Sequence, residues 1–374
     1  MRNEVALKSY NTFGLDVKAS HFFPFTNIEE LDNFMKAYKG NLEDILILGG
    51  GSNILFSSDF KGQILHSKIN YIKKVEESED QIFLEVGSGL EWDEFVKYCV
   101  ANKYYGAENM SLIPGNVGAT AVQNAGAYGT EAKDLIHKVI AYDLFAREQL
   151  VLSNKDCKFE YRNSIFKTEA YKNRILITSI VYILSKRSKY HIKLNSYSGF
   201  RISRQFKFWM NFIRHLSKSI DLRKSKGIPR LDYRFLKNLL EDSGLLPLKV
   251  KRSIVIKTRT SKLPDINELG NVGSFFKNPI IEANRAIKLK EQYPDAILFP
   301  YTEGFVKVSA AWLIDKCGWS GRKVGDAGTL LHMPLTIVNY GKATSKDILE
   351  LAKNVEHAVY TKFKIVLEKE VVVI

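Results

Sequence analysis

The stretch ILILGGGSNILF, residues 45 to 56, decides the fold of this chain. The apolar run 45–48 predicts a buried strand, and a second strand-like run follows the glycines at 54–56. Glycines have no Cβ atom, so successive backbone N–H groups can turn towards one point and bind an anion such as a diphosphate. The residues of this candidate site are Gly49, Gly50, Gly51, Ser52 and Asn53.

The element after the glycines limits the nucleotide folds to which this stretch can belong. A Walker loop or a Rossmann fingerprint opens a helix at this point, whereas residues 54–56 predict a strand. A tight hairpin turn without a ligand explains the glycines about as well.

Strands and helices alternate along the rest of the chain, which predicts an α+β or α/β protein. A middle region, about 185 to 257, interrupts the pattern, and a second mixed domain begins near 262. The last predicted strand is apolar and has to pair with a sheet elsewhere. Strands are predicted at 83–86, 175–183, 336–339 and 365–374, and helices at 280–293, 310–317 and 345–363.

The composition is that of an ordinary globular protein, with 374 residues, 45% apolar and 26% charged, enough for two or three domains. No run reaches the roughly 20 apolar residues of a membrane span, and the first residues do not resemble a signal peptide. The three cysteines and seven histidines show no disulfide or metal-ligand spacing. We therefore expect a cytosolic protein without a metal site.

The net charge of +14 is concentrated in one place. Residues 185 to 230 contain thirteen Lys and Arg but one acid, Asp221, and so carry most of the excess. Aromatic residues between the basic ones within 200–226 allow a membrane-surface or nucleic-acid contact. A solvated insertion without a dedicated partner is the preferred interpretation, so we expect neither nucleic acid nor stable membrane insertion.

A second glycine-rich motif is SLIPGNVGATAVQNAGAYGTE, residues 111 to 131. Its small residues can let a flat ring system lie close to the backbone, while Gln123, Asn124 and Tyr128 offer hydrogen-bonding groups. Tight helix packing on small residues is an equally good interpretation of this segment by itself.

Three further motifs carry side chains suited to catalysis. In FEYRNSIF, residues 159 to 166, Arg162 lies between aromatic residues and could bind a carboxylate, although a structural ion pair is commoner. In VLEKEVVVI, Glu368 and Glu370 are two apart and would face the same side of a strand. One of them could stabilise charge in a cleft, but exposed strand-edge glutamates are the commoner explanation.

Ser274 follows a glycine and precedes two phenylalanines in RTSKLPDINELGNVGSFFKNP, residues 259 to 279. Its hydroxyl could project from a turn into a partly dry site, with Lys262, Lys277 and Asn278 as polar partners. The GxSxG elbow of serine hydrolases is absent and no histidine is near in sequence, so a nucleophilic role is unsupported. The alternative is a helix-capping serine.

Together these motifs resemble one family in order and approximate spacing. NTFG, LGGGSN, IPGNVGATAVQNAGAYG, YRNSIF, SKLPD, GSFFKNP, AAWLID and LEKEV are similar to the UDP-N-acetylenolpyruvoylglucosamine reductases, over residues 11–183 and 259–371. The resemblance implies an α+β, FAD-binding fold of the vanillyl-alcohol-oxidase type in two lobes, plus an α/β substrate-binding domain. The implied boundaries are 1–68 joined by 365–374 for the first lobe, 69–258 for the second, and 259–364 for the substrate domain.

The resemblance also implies the chemistry, a step of peptidoglycan precursor synthesis. NADPH reduces the bound FAD, and the enolpyruvyl ether of UDP-N-acetylglucosamine then accepts hydride at C3. Ser274 would deliver the proton to C2, while Arg162 and Glu370 stabilise the enolate. Implied FAD contacts are Gly49, Gly50, Gly51, Ser52, Asn53, Pro114, Gly115, Gly118, Ala119, Gln123, Asn124, Gly126 and Tyr128. Implied substrate contacts are Tyr197, Lys262 and Asn278, in a monomer without a metal.

This sequence departs from the family pattern in a few places, and two rival functions follow from the fold. Besides the basic insertion, Leu330, Met333 and Phe299 stand where relatives have other residues, which concerns the contacts to the uridine diphosphate. The alternatives are another flavin oxidoreductase of the same fold and a catalytically weakened nucleotide-binding relative. Because Arg162, Ser274 and Glu370 are all present, the enzyme is preferred.

Overall fold

A computed structural model of the chain describes residues 2–187 and 247–374. The predictions made for Tyr197 and for residues 200–226 fall outside these ranges. No helix within the described ranges is long and apolar enough to cross a membrane.

The first sheet has four strands in the order β1-β2-β5-β3, and the strand predicted before the glycines is confirmed as β3. β2 and β3 both run parallel to the buried strand β5, whereas β1 is antiparallel to β2. The helix beside it begins at the Asn27 cap, whose side chain accepts from the Glu30 N–H. Elements here are β1 Arg2–Ala6, β2 Lys18–Phe25, α1 Ile28–Ala37, β3 Ile45–Ile47, β4 Ile54–Leu55 and β5 Phe60–Ser67.

The second sheet has five antiparallel strands in the order β11-β10-β12-β7-β6 and confirms both strands predicted there. Trp92, Phe95 and Tyr182 pack together between this sheet and its helices, fully shielded from solvent. Elements here are β6 Ile72–Glu77, β7 Gln81–Gly87, α2 Trp92–Ala101, α3 Val117–Gln123, β8 Gly126–Ala127, β9 Thr130–Glu131, β10 Ile136–Asp143, β11 Glu148–Ser153 and β12 Ile175–Ser185.

Helix α4, Leu248–Lys262, joins the second sheet to the C-terminal part. It packs on α2 and is held there by Arg252, whose guanidinium donates to both carboxylate oxygens of Asp93 at 2.7 and 2.6 Å. The predicted boundary between residues 258 and 259 falls inside this helix.

The C-terminal part contains two small sheets and three helices, and it shares one apolar core with the first sheet. The helix predicted at 280–293 begins later than expected, because Ile280 and Ile281 pair with a neighbouring strand. The helix at 345–363 is confirmed and begins with a capping box of Thr344 and Asp347. Elements here are β13 Gly270–Asn271, β14 Ile280–Glu282, α5 Ala283–Gln292, β15 Leu298–Pro300, β16 Phe305–Val308, α6 Ala310–Lys316, β17 Lys323–Val324, β18 Ala327–Thr329, β19 Ile337–Asn339 and α7 Ser345–Phe363.

The strand predicted at 365–374 is wrong for most of its length. Only β20, Val372–Val373, is a strand, and it pairs in parallel with β4. Residues before it alternate between buried and exposed, as in a strand, but they bond singly to residues 275–277 instead of forming a continuous ladder. The expected pairing of this segment with a sheet elsewhere is confirmed at β20, which brings residue 370 next to the glycine loop.

Candidate active site

The first glycine loop, residues 48–53, connects two strands that belong to different sheets. β3 lies in the first sheet and β4 pairs with β20, so the loop is not a hairpin turn. Gly51 has φ +66, a conformation that favours glycine, and its carbonyl accepts from the Thr12 N–H at 3.2 Å. A Cβ atom at this position would lie 1.9 Å from the Tyr10 carbonyl oxygen. Only glycine fits here.

We expect Gly51→Ala to lower the free energy of unfolding by about 2–4 kcal/mol, because the contact is with main chain that cannot move aside cheaply. The matched control is Gly325→Ala: Gly325 also has positive φ, +58, but nothing lies within 4 Å of the added atom. Backbone strain alone should cost the control about 1–2 kcal/mol. Urea unfolding of both variants measures the difference, and equal losses would contradict the role assigned to Tyr10.

The second glycine loop, residues 114–119, lies directly against the first. Ser52 donates its hydroxyl to the Pro114 carbonyl oxygen at 3.1 Å. A Cβ atom on Gly50 would lie 3.0 Å from the Gly115 Cα atom and 2.9 Å from the Asn116 Oδ1 atom. This Oδ1 atom is buried and has no hydrogen-bond partner among the described residues. The junction therefore offers exposed backbone and one unsatisfied acceptor; Gly49 and Ala119 face each other beside it.

Other residues of the second motif have packing roles. A Cβ atom on Gly118 would lie 2.9 Å from the Ser88 Cβ atom, so this glycine allows α3 to pack closely. The buried Asn124 carboxamide donates to the Glu160 carbonyl oxygen and accepts from the Lys133 N–H. Its polar side-chain atoms are therefore already bonded within the protein, and this does not support its predicted contact with a cofactor.

Tyr128 lies where the second motif meets helix α4. Its ring is 6% exposed and packs on Val255, and its main chain has φ +51. The Tyr128 carbonyl oxygen accepts from the Asn109 carboxamide at 3.4 Å. Through Tyr128, helix α4 therefore holds the second motif in place near Gly126.

Arg162 and Glu370 meet in the centre of the candidate site. The Arg162 Nε atom lies 2.8 Å from the Glu370 Oε1 atom, with the side chains 19% and 14% exposed. An Nη2 donor binds the Gly126 carbonyl oxygen at 2.9 Å, and the Tyr161 ring lies 5.3 Å from the guanidinium carbon. Burial alone would lower the pKa of Arg162, but Glu370, together with Tyr161 and Glu131, outweighs the effect of burial and the pKa is raised.

Two further side chains extend this pair into a cluster. Gln123 donates to the same Glu370 Oε1 atom at 3.1 Å, and Lys167 donates to the Gln123 Oε1 atom in a short hydrogen bond. Lys167 also donates to the Arg162 carbonyl oxygen at 3.0 Å. Burial, with the nearby Lys277 ammonium group, lowers the pKa of Lys167 to about 8. Lys167 was not predicted from the sequence, in which its one signal is its place directly after YRNSIF.

Ser274 is linked to the cluster by a main-chain hydrogen bond of its neighbour. It follows Gly273, which has φ +71 and donates its N–H to the Asn271 side chain. The next residue, Phe275, accepts at its carbonyl oxygen from the Glu370 N–H at 2.8 Å. No helix begins at Ser274, so the alternative of a capping serine is wrong.

The two C-terminal glutamates, predicted to face the same side, differ in exposure and in their partners. Glu368 is 70% exposed and pairs with Lys277 at the surface, whereas Glu370 faces Arg162. The Glu370 carbonyl oxygen also accepts from Asn53 of the first glycine loop at 3.1 Å.

The C-terminal part closes one side of the cluster. The Asn278 carboxamide accepts from the Ala310 N–H at the start of α6, and the Tyr161 hydroxyl is hydrogen-bonded to Asn278. Lys307 lies over the Tyr161 and Tyr301 rings, with its ammonium nitrogen 4.3 and 5.1 Å from their centroids. Sequence analysis did not predict Lys307 or Tyr301.

The remaining predicted residues are less closely tied to this cluster. Lys262 is the last residue of α4 and is half-buried, and Tyr197 lies outside the described residues. Within 2–187 and 247–374, no group of three or more metal-binding side chains is found.

Residues 19–144 match a family of FAD binding domains, and the glycine-loop junction, with its exposed backbone and unsatisfied acceptor, fits such a cofactor. The fold and site therefore define a flavoprotein, and the predicted α+β, FAD-binding fold is confirmed.

The family follows from the remainder of the chain. Residues 265–374 match the C-terminal domain of UDP-N-acetylenolpyruvoylglucosamine reductase. The reductase of Flavobacterium johnsoniae is 38% identical over 374 residues, 100% of this chain and 99% of that protein. A reductase of Bacteroides fragilis is 37% identical over 99% of both chains. The chain belongs to the UDP-N-acetylenolpyruvoylglucosamine reductase family.

Similarity to a solved structure supports the fold, and only the fold. The crystal structure of UDP-N-acetylenolpyruvylglucosamine reductase from Thermus caldophilus superposes with a TM-score of 0.61 at 22% identity, covering 99% of this chain and 98% of that one. The overall arrangement of sheets and helices in the described residues is therefore shared with that protein.

Proposed function

We propose that this protein is an NADPH-dependent, FAD-mediated reductase that converts the enolpyruvyl ether of UDP-N-acetylglucosamine to UDP-N-acetylmuramate in peptidoglycan precursor synthesis. The observation that carries the proposal is the Arg162–Glu370 pair, because Glu370 is bonded both to the first glycine loop and to Gln123. The full-length relatives named as this reductase support the same activity.

The two glycine loops are the proposed binding site of FAD. Residues 49–53 and 114–119 would hold it, since the backbone of both loops faces their junction and larger side chains would fill it. Hydride transfer from NADPH to C3 of the enolpyruvyl group is the chemistry that a bound FAD would supply.

Arg162 would stabilise the charge that forms on the substrate carboxylate after hydride addition, and Glu370 would help in its protonated form, by donating a hydrogen bond to that carboxylate. Bonds from Nε to Glu370 and from Nη2 to Gly126 fix the guanidinium before substrate binds, so little reorganisation accompanies the reaction. Ser274, one residue from the main-chain bond to Glu370, would deliver a proton to C2. That proton has to be relayed from solvent, because a serine hydroxyl is far too weak an acid to remain ionised.

The substrate's sugar nucleotide would contact Lys262, Asn278 and Tyr197, as the family resemblance implies. Asn278 has the best structural support, because it is hydrogen-bonded to Tyr161 beside the Arg162–Glu370 pair. Two of the unusual residues, Leu330 and Met333, lie in the loop between β18 and β19. The implied domain boundaries, the monomeric state and the cytosolic location stay predictions.

The test separates the two half-reactions. The purified protein should be yellow, NADPH should bleach the flavin absorbance, and the enolpyruvyl substrate should restore it without oxygen. A control with UDP-N-acetylglucosamine, which lacks the enolpyruvyl group, should not restore it. If the protein does not bind added FAD and stays colourless, it is the weakened relative. If NADPH reduces the bound flavin but the substrate does not reoxidise it, the protein is a different flavin oxidoreductase.

A further inference from the structure

Lys167 is a half-buried lysine whose side chain turns towards the catalytic pair. It ends the short 3-10 helix Ile165–Lys167 that follows Arg162. Its ammonium group donates to the Gln123 amide oxygen and to the Arg162 carbonyl oxygen. A lysine in such surroundings is uncommon, because taking its charge out of water is costly.

The hydrogen bonds of Lys167 reach both members of the pair. By occupying the Gln123 amide oxygen, Lys167 leaves the amide nitrogen to face Glu370, where it donates at 3.1 Å. Its second bond holds the main chain of Arg162, which has φ +54, a strained value for a residue other than glycine. One cation therefore orients the Glu370 carboxylate through an amide and Arg162 through its backbone.

We propose that Lys167 is a positioning residue, which fixes Arg162 and Glu370 in the geometry needed to stabilise charge on the substrate carboxylate. The inference deepens the proposed function and rests on it. Lys167 acts through Gln123 and the Arg162 backbone, and its positive charge strengthens both hydrogen bonds.

The charges around Lys167 place its titration in a measurable range. Burial and the cations of Lys277 and Arg162 favour the neutral amine, while Glu370 favours the ammonium form. The pKa of Lys167 is lowered to about 8, so the group is protonated at neutral pH and loses its proton as the solution becomes alkaline. The rate constant for reoxidation by substrate should therefore decrease at alkaline pH as Lys167 loses its proton. This decrease is the alkaline limb of the pH profile.

The test uses holoenzyme that has first been reduced chemically and is then mixed rapidly with the enolpyruvyl substrate. The second-order rate constant for reoxidation is measured against pH, because it reports groups in the free enzyme. For Lys167→Met we expect a rate about 10-fold lower and no alkaline limb assigned to this lysine, because the charge-assisted bonds are lost. Lys167→Arg should restore part of the rate and keep it constant through the alkaline range, since arginine does not titrate there.

Lys172→Met is the control, because Lys172 is an exposed lysine five residues further along the chain. It should keep both the rate and the alkaline limb of the wild type. The Cε resonance of Lys167, identified by its loss in Lys167→Met, gives a second readout without turnover and should titrate near the same pH.

The outcomes distinguish this inference from the proposed function. If the reduced wild type is not reoxidised by substrate, the proposed function has failed. If the wild type reacts but Lys167→Met and Lys167→Arg keep its alkaline limb, only the role of Lys167 is overturned. If Lys167→Met does not fold, the pH profile of Lys167→Arg is the test. An alkaline limb that is retained in Lys167→Arg contradicts the inference by itself.

Discussion

Ser274→Ala is expected to abolish turnover while leaving the reduction of bound flavin by NADPH unchanged. Reduction requires no proton at C2 of the substrate, whereas the second half-reaction does. Losing a positioned proton donor commonly costs about 10²- to 10⁴-fold in rate. Rapid-mixing measurements of the two half-reactions in the same preparation give the comparison directly.

The matched control for this prediction is Ser253→Ala. Ser253 lies on the exposed face of α4, and its hydroxyl bonds only to the Lys249 carbonyl oxygen of the same helix. Both half-reactions should keep their wild-type rates in this variant. If Ser274→Ala slowed both half-reactions together, its position near the Phe275–Glu370 bond would be needed for the shape of the site, and the proton-donor role would be wrong.

The second large effect concerns the ion pair. Arg162→Met should lower the rate of reoxidation by about 10²- to 10³-fold, because the donors aimed at the developing charge are lost. It should also lower the free energy of unfolding by about 2–3 kcal/mol, since Glu370 is left partly buried without its partner. Urea unfolding and rapid mixing measure the two effects separately.

A double variant separates stability from catalysis at the same position. In Arg162→Met/Glu370→Gln both charges are removed, so we expect most of the lost stability to return. The rate should stay low, because no guanidinium faces the substrate carboxylate. If the double variant regained activity, Arg162 and Glu370 would be a structural ion pair, as the commoner interpretation of such an arginine holds.

Local patterns in the sequence predicted the local elements well. The strands around the first glycine loop, the strand at 175–183 and the helix at 345–363 each depend on hydrophobic periodicity within a short window, and all are confirmed. The strand at 365–374 failed because alternating burial can arise without continuous strand pairing. Only residues 372–373 have a strand beside them.

The composition of the site was harder to predict, because its contacts join distant parts of the chain. Arg162 and Glu370 were chosen by resemblance to a family, but nothing local in the sequence indicates that they form an ion pair. Lys167 was missed because lysines are usually exposed. The FAD contact of Asn124 was implied by the same resemblance and stays a prediction, and the Asn124 carboxamide bonds to the surrounding main chain.

The bond between Asn53 and Glu370 has a consequence for the order of events during synthesis. These residues are 317 positions apart, so a ribosome completes the glycine loop long before it adds the glutamate. Closing so long a segment carries a large entropic cost, and contacts of this kind form late in folding. The growing chain therefore cannot form this bond, or complete the proposed catalytic site, until residue 370 has been added.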